Sequence, residues 1–277
     1  MSQATQPIGI FDSGIGGASV LCELRALMPN EDLLFLADQA NCPYGSRPAT
    51  ELRALSASNT RWLLERGAKQ IVVACNTASA AALHWLRHEF AQVPFVGMVP
   101  AVKPAAEQTR SGVVGVLATP TTLDGNLLDD VVLRWAGATR VLRQGCPGLV
   151  EQIEAGALET PATLALLSSY LRPLLAAGAD TIVLGCTHYP FLAPQIQRLA
   201  GPQVRLIDAA PAVARQAARV LAERGLRYTG PTRTGSITYA TTSEPAAFAH
   251  LIEQLQLPAG TVMAAATPAD AAPARRY

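Results

Sequence analysis

Two stretches of the chain read as copies of one another, and each ends in a cysteine. They are Ile71-Val72-Val73-Ala74-Cys75-Asn76-Thr77 and Ile182-Val183-Leu184-Gly185-Cys186-Thr187-His188. Each is an apolar run, then a small residue, a thiol, and a residue suited to a helix start. A short unbroken apolar run marks a strand buried on both faces, as in parallel sheets covered by helices. In open α/β sheets, ligands bind outside the carboxyl ends of the strands. The pattern therefore predicts two thiols at two equivalent ligand-facing positions, one for each side of a substrate.

The rest of the chain alternates in the same way. Strand-like runs fall at 7–11, 32–36, 70–74, 93–97, 112–117, 139–142, 180–184, 204–207 and 236–240. Amphipathic helical stretches lie between most of them, including 50–65, 78–89, 161–176 and 212–224. This alternation predicts parallel sheets covered on both faces. The repeat also extends beyond the cysteines. Ile8-Gly9-Ile10-Phe11 resembles Val114-Gly115-Val116-Leu117, an offset of 106 residues, against 111 for Cys75 and Cys186. Two related units follow from this. Facing each other about a pseudo-twofold axis, they would set Cys75 opposite Cys186 across a cleft.

The expected architecture is thus two pseudo-symmetric, doubly wound α/β domains with parallel sheets and an active site between them. Pro94, Pro100 and Pro104 interrupt the pattern and mark a boundary. Residues 1–98 with a returning segment, 208–263, are expected to form the first domain, and 99–207 the second. The Ala- and Pro-rich tail, 264–277, is expected to be disordered.

Composition removes several function classes. Of the residues, 49% are hydrophobic and 16% charged, which is a globular balance. With 22 basic and 21 acidic side chains, no nucleic-acid partner is expected. No stretch reaches the roughly 18 apolar residues of a membrane span, so no membrane partner is expected. The first residues, Met1 to Pro7, lack the basic end and apolar core of a signal peptide. Five cysteines in such a chain point to free thiols in a reducing cytoplasm.

Cofactors are limited as well. Lys69 and Lys103 are the only lysines, and neither sits at a convincing strand end. That weighs against pyridoxal phosphate, which needs a Schiff-base lysine. No Cys-x₂₋₄-Cys spacing occurs, and His84 and His88 read as a solvated helix face, so no metal is expected.

Three loops at strand ends carry polar groups. The first strand runs into Asp12-Ser13-Gly14-Ile15-Gly16-Gly17. Glycines there permit a tight turn and a close backbone approach, and the next helix offers free N–H groups. A dinucleotide loop fits poorly, because Ser19 falls where the third glycine belongs and Asp12 would face the pyrophosphate. A small ligand with ammonium and carboxylate groups fits better; a glycine turn with a capping Asp remains an equal alternative for this loop alone. A thiol just before a helix should ionise more easily. Asn76, Thr77 and Thr187 supply carboxylate-binding groups, and His188 can serve Cys186 as a proton partner. Pro43-Tyr44-Gly45 makes a turn at the same sheet edge, while Cys22, Cys42 and Cys146 read as incidental.

Taken in order, Asp-Ser-Gly-x-Gly-Gly, Pro-Tyr-Gly, Ala-Cys-Asn-Thr-Ala and Leu-Gly-Cys-Thr-His-Tyr-Pro make the chain resemble the bacterial glutamate racemases. The likeness runs from about Ile8 to Leu255. The stretch from Cys146 to Gly156 is similar to the family segment with an acidic helper, which falls on Glu154. The resemblance implies an isomerase: a cofactor-independent, two-base interconversion of L- and D-glutamate that supplies D-glutamate for peptidoglycan, in a homodimer. Cys75 would act on D-glutamate and Cys186 on L-glutamate. Asp12 and Glu154 would assist Cys75, and His188 would assist Cys186. Ser13, Tyr44, Gly45, Asn76, Thr77, Thr187 and His188 fall on substrate-binding positions, with Thr119 and Thr122 as further contacts. Ala37-Asp38-Gln39 departs from the family's usual Gly-Asp-Thr, and Asp208-Ala209-Ala210 from Asp-Ser-Gly.

The nearest alternative is an aspartate racemase or related isomerase, in which the position of His188 is usually Glu. A thiol redox enzyme would want Cys-x-x-Cys, which is absent. An amino-acid-binding module without catalysis has no use for twinned thiols.

Overall fold

A computed structural model of the protein describes residues 3–265. The chain begins with β1 (Ile8–Asp12), α1 (Ala18–Leu27), β2 (Leu33–Ala37), α2 (Ala49–Glu65), β3 (Gln70–Val73), α3 (Asn76–Glu89) and β4 (Phe95–Val96). It continues with α4 (Val102–Gln108), β5 (Val113–Ala118), α5 (Pro120–Leu123), α6 (Asn126–Trp135), β6 (Arg140–Gly145), α7 (Leu149–Glu154), α8 (Pro161–Ala176), β7 (Thr181–Leu184), α9 (Ala193–Ala200) and β8 (Arg205–Asp208). It ends with α10 (Ala210–Glu223), β9 (Ile237–Thr241), α11 (Pro245–Gln254) and β10 (Thr261–Ala264).

Two all-parallel sheets result. The first has the order β10-β9-β2-β1-β3-β4 and the second β6-β5-β7-β8. Remove the edge pair β10-β9, and both read outward from the second strand in the same sequence. The repeat is exact to the residue at the centre. Gly9 pairs with Ile71 in one sheet, and Gly115 with Ile182 in the other. The next steps match too: Ala74 donates its N–H to Phe11 O at 2.8 Å, and Gly185 to Leu117 O at 2.7 Å. Cys75 and Cys186 are the residues that follow, at equivalent strand ends.

Period-two alternation divides the first sheet's side chains between two faces. Ile8, Ile10, Phe35, Val72 and Tyr239 join one core with Leu21 and Leu24 of α1 and Ala214 and Ala217 of α10. Phe11, Leu34, Leu36, Ile71 and Val73 join another with Leu63 of α2 and Leu86 of α3. In the second sheet Leu117, Ile182 and Leu184 extend the first of these cores, while Val114, Val116 and Val183 face α4 and α6. One apolar core thus runs through both halves of the molecule. Buried strands this short have little room for polar residues, which is why their runs were so plain in the sequence.

Several boundaries differ from expectation. β10 was not foreseen: it is a four-residue edge strand, largely exposed, with no alternation to signal it. Ala264, taken as the start of a disordered tail, closes β10, and Ala265 is buried behind it; residues 266–277 lie outside the described residues. β6 runs on through Arg143 and Gln144, polar residues that a strand at a sheet edge accommodates. Asp208, assigned to the returning segment, is the last residue of β8 in the second sheet. α10, directly after it, packs on α1 of the first.

Candidate active site

The two sheets point their carboxyl ends at a shared, nearly closed cavity. Its lining includes Ser13, Tyr44, Gly45, Cys75, Asn76, Thr77, Thr119, Cys186, Thr187 and His188. The space left is about 10 Å³ for the centre of a water-sized sphere, room for about one water molecule.

Cys75 caps α3: its Sγ accepts the Ala78 N–H at 3.5 Å and lies 4.0 Å from Ser13 Oγ. The expectation that a helix start would ease its ionisation fails. Burial, with the Asp12 carboxylate beside it, holds the Cys75 thiol well above the usual range, and the Ala78 N–H offsets this only in part. Cys186 differs from expectation in another way. No α-helix starts there; a 3₁₀ turn, Tyr189–Leu192, intervenes before α9.

Asp12 ends β1 and is wholly buried. Its Oδ2 accepts the Gly17 N–H at 2.6 Å and the Thr187 hydroxyl at 3.3 Å. Burial raises its pKa, and the His188 charge and Cys75 contact pull it back only partly. The loop glycines do what the sequence suggested, but for protein groups. A Cβ at Gly14 would overlap the Glu154 carboxylate, and one at Gly16 the His188 ring.

Glu154, expected beside Cys75, is bound on the other side. Its Oε1 accepts His188 Nε2 and the Ile15 N–H, each at 2.7 Å, and its Oε2 accepts Gln39 Nε2 at 2.8 Å. Burial alone would raise its pKa, but these three donors lower it. The other nitrogen of His188, Nδ1, lies 3.7 Å from Cys186 Sγ. Burial disfavours the charged ring, yet contacts with Cys186, Cys42 and Glu154 outweigh it and hold the pKa well above its ordinary value. Glu154, His188 and Cys186 thus form one chain.

The remaining groups fall where expected, with one restriction. Tyr44 lines the cavity, but its hydroxyl is engaged by Asp38 and by Asn59 Nδ2, the latter at 3.1 Å. Thr77, Thr119 and Thr122 share hydroxyl contacts of 2.9 to 3.3 Å behind Gly45. Both polar atoms of the Asn76 side chain are buried without a partner. His84 and His88 are exposed on α3. Lys69 is spent on a buried pair with Glu31 at 2.5 Å, and Lys103 lies over the Trp135 ring; neither lines the cavity.

Sequence reasoning missed two neighbours. Gln39 bridges Glu154 to Thr241, whose hydroxyl donates to Gln39 Oε1 at 2.7 Å. Cys42, read as incidental, lies with Glu154 and His188, their ligand-type atoms all within 4.8 Å. The departure at Gln39 was visible in the sequence, although its partner was not; Cys42 gave no signal.

Comparisons with known proteins decide the family. The model of the Asp/Glu/Hydantoin racemase family matches residues 19–217. A curated glutamate racemase of Roseiflexus sp. (strain RS-1) is 61% identical over 269 residues, 97% of this chain and 99% of the relative. The chain belongs to the glutamate racemase family. It is accordingly an amino-acid racemase, an isomerase. The structure of the Thermus thermophilus glutamate racemase in complex with β-chloro-D-alanine superposes with TM-score 0.80 at 35% identity, covering 95% of this chain and 98% of that one. That of Francisella tularensis in complex with D-glutamate gives 0.81 at 27% identity, with the same coverages. Family members therefore share both halves of this fold.

Proposed function

We propose that the protein interconverts L- and D-glutamate by a cofactor-independent two-base proton transfer. The observation that carries this reading is the pair of thiols, Cys75 and Cys186, at equivalent strand ends and lining one cavity. The curated relative's name and the D-glutamate bound in the Francisella tularensis structure support glutamate as the substrate.

An amino-acid α-hydrogen is very weakly acidic, so the protein must stabilise the carbanion-like transition state with groups already in place. Asn76, with a buried amide free to pair, joins Thr77, Thr187 and Ser13 in holding the carboxylates and ammonium. One thiolate takes the α-proton from one face. The opposite thiol gives its proton to the other face, so each turnover exchanges the two protonation states. Asp12, buried against Cys75, serves that thiol by exchanging a proton with it. His188, held by Glu154, serves Cys186. By family resemblance, Cys75 acts on D-glutamate and Cys186 on L-glutamate. The cavity must widen for a substrate of this size, which requires the two sheets' loops to part.

The product suits peptidoglycan synthesis, and the five unpaired cysteines suit a reducing cytoplasm. The test is solvent exchange: protein without added cofactor, in D₂O, should place deuterium on the α-carbon of glutamate and leave aspartate unlabelled. Labelling of aspartate in preference to glutamate overturns the substrate; labelling of neither overturns the reaction.

A further inference from the structure

No pair of cysteines in this chain has zinc-site spacing, yet folding assembles a mixed set of ligands. Cys42 comes from the loop after β2, Glu154 from the end of α7 and His188 from the turn after β7. A sulfur, a carboxylate oxygen and an imidazole nitrogen there all lie within 4.8 Å of one another. Sulfur with nitrogen suits a thiophilic cation of the zinc class, and disfavours magnesium or calcium, which prefer oxygen alone.

Two further observations point to a cation. Cys42 and Glu154 open onto a surface cavity of about 450 Å³, separate from the racemase cavity behind His188. Its charged lining is Glu151, Glu154 and Glu244; among the described residues it holds no lysine or arginine. A cavity of one sign concentrates ions of the other. The ligands are also held from behind. Glu154 receives the Ile15 N–H at 2.7 Å and Gln39 Nε2 at 2.8 Å, and His188 Nδ1 rests against Cys186 at 3.7 Å. Outer partners of this kind orient ligands and raise metal affinity.

We propose that Cys42, Glu154 and His188 form an inhibitory site for a zinc-class divalent cation, with water as the fourth ligand. Binding displaces the Cys42 thiol proton and the proton between His188 Nε2 and Glu154. The cation then pins the imidazole that faces Cys186 and takes the carboxylate that holds it. Racemisation stops while the site is filled. The inhibitory half rests on the two-base reading above; the binding half does not.

The test uses the full-length protein with Co²⁺ as a spectroscopic probe and Zn²⁺ as the competing ion. One equivalent of Co²⁺ should give a thiolate-to-cobalt charge-transfer band, which Zn²⁺ abolishes. Cys42→Ser should lose the band and weaken Zn²⁺ binding by about tenfold or more, and whatever racemisation it retains should no longer respond to Zn²⁺ at concentrations that inhibit the wild type. In the wild-type protein, Zn²⁺ should slow alkylation of Cys42 by iodoacetamide, read by peptide mass spectrometry, and a chelator should restore both alkylation and activity. A band that persists in Cys42→Ser, or Cys42 alkylated equally fast with and without Zn²⁺, overturns the site. Binding as described without loss of activity overturns its inhibitory role. A protein that proves not to racemise glutamate still answers the Co²⁺ titration.

Discussion

At the scale of single residues, the site's two sides are built from opposite responses to burial. Asp12 and Cys75 are buried together, the cost of burial outweighs the donors that reach them, and both have raised pKa values. The buried His188 and the partly buried Glu154 form an ion pair, and their shifts oppose each other: the carboxyl lowered, the imidazole raised. The signs define a pH window. The lowered Glu154 contributes stability above its ordinary value of 4.5 and loses it as pH falls through the lowered value. The raised His188 contributes fully below 6.5 and loses it as pH rises through the raised value. The pair is therefore intact from about pH 4.5 to about 6.5, and past each limit in the direction of its shift. Glu154→Gln removes the charge that supports the imidazolium. The His188 midpoint, followed by ¹⁵N NMR, should move to lower pH; an unchanged midpoint would show that Glu154 does not set it.

Among the secondary-structure elements, the start of β3 is held by the buried pair Lys69–Glu31. Glu31 precedes β2 and also accepts the Tyr228 N–H at 2.8 Å, which ties in the connection from α10 to β9. Lys69→Ala leaves a carboxylate buried without its partner. Urea unfolding should show a loss of about 3–5 kcal/mol; a loss under about 1 kcal/mol would mean that water reaches Glu31. How much of these elements could be read in advance depended on where the controlling interaction lay. β3 and β7 were legible because burial on both faces leaves an apolar signature, and the cysteines were legible because they end those runs. β10 was not, since an exposed edge strand needs no apolar pattern. The placement of Glu154 was not, because a residue ending α7 meets whatever the opposite sheet's loop presents. The Cys75 shift was misjudged because a helix start is local and visible in sequence, whereas burial is a property of the assembled fold.

For the whole molecule, duplication places two thiols alike, and unequal neighbours then make them different. The shared core that runs through both sheets keeps their carboxyl ends facing one cavity. On the two-base reading proposed above, neither half can supply both faces of the reaction. The account therefore stands or falls on whether each thiol is indispensable. Cys75→Ala and Cys186→Ala should each lose racemisation by on the order of a thousandfold or more in both directions, followed by circular dichroism of L- and D-glutamate. Unfolding curves matching the wild type would place the loss in the chemistry. Racemisation near the wild-type rate by either variant would contradict the two-base account.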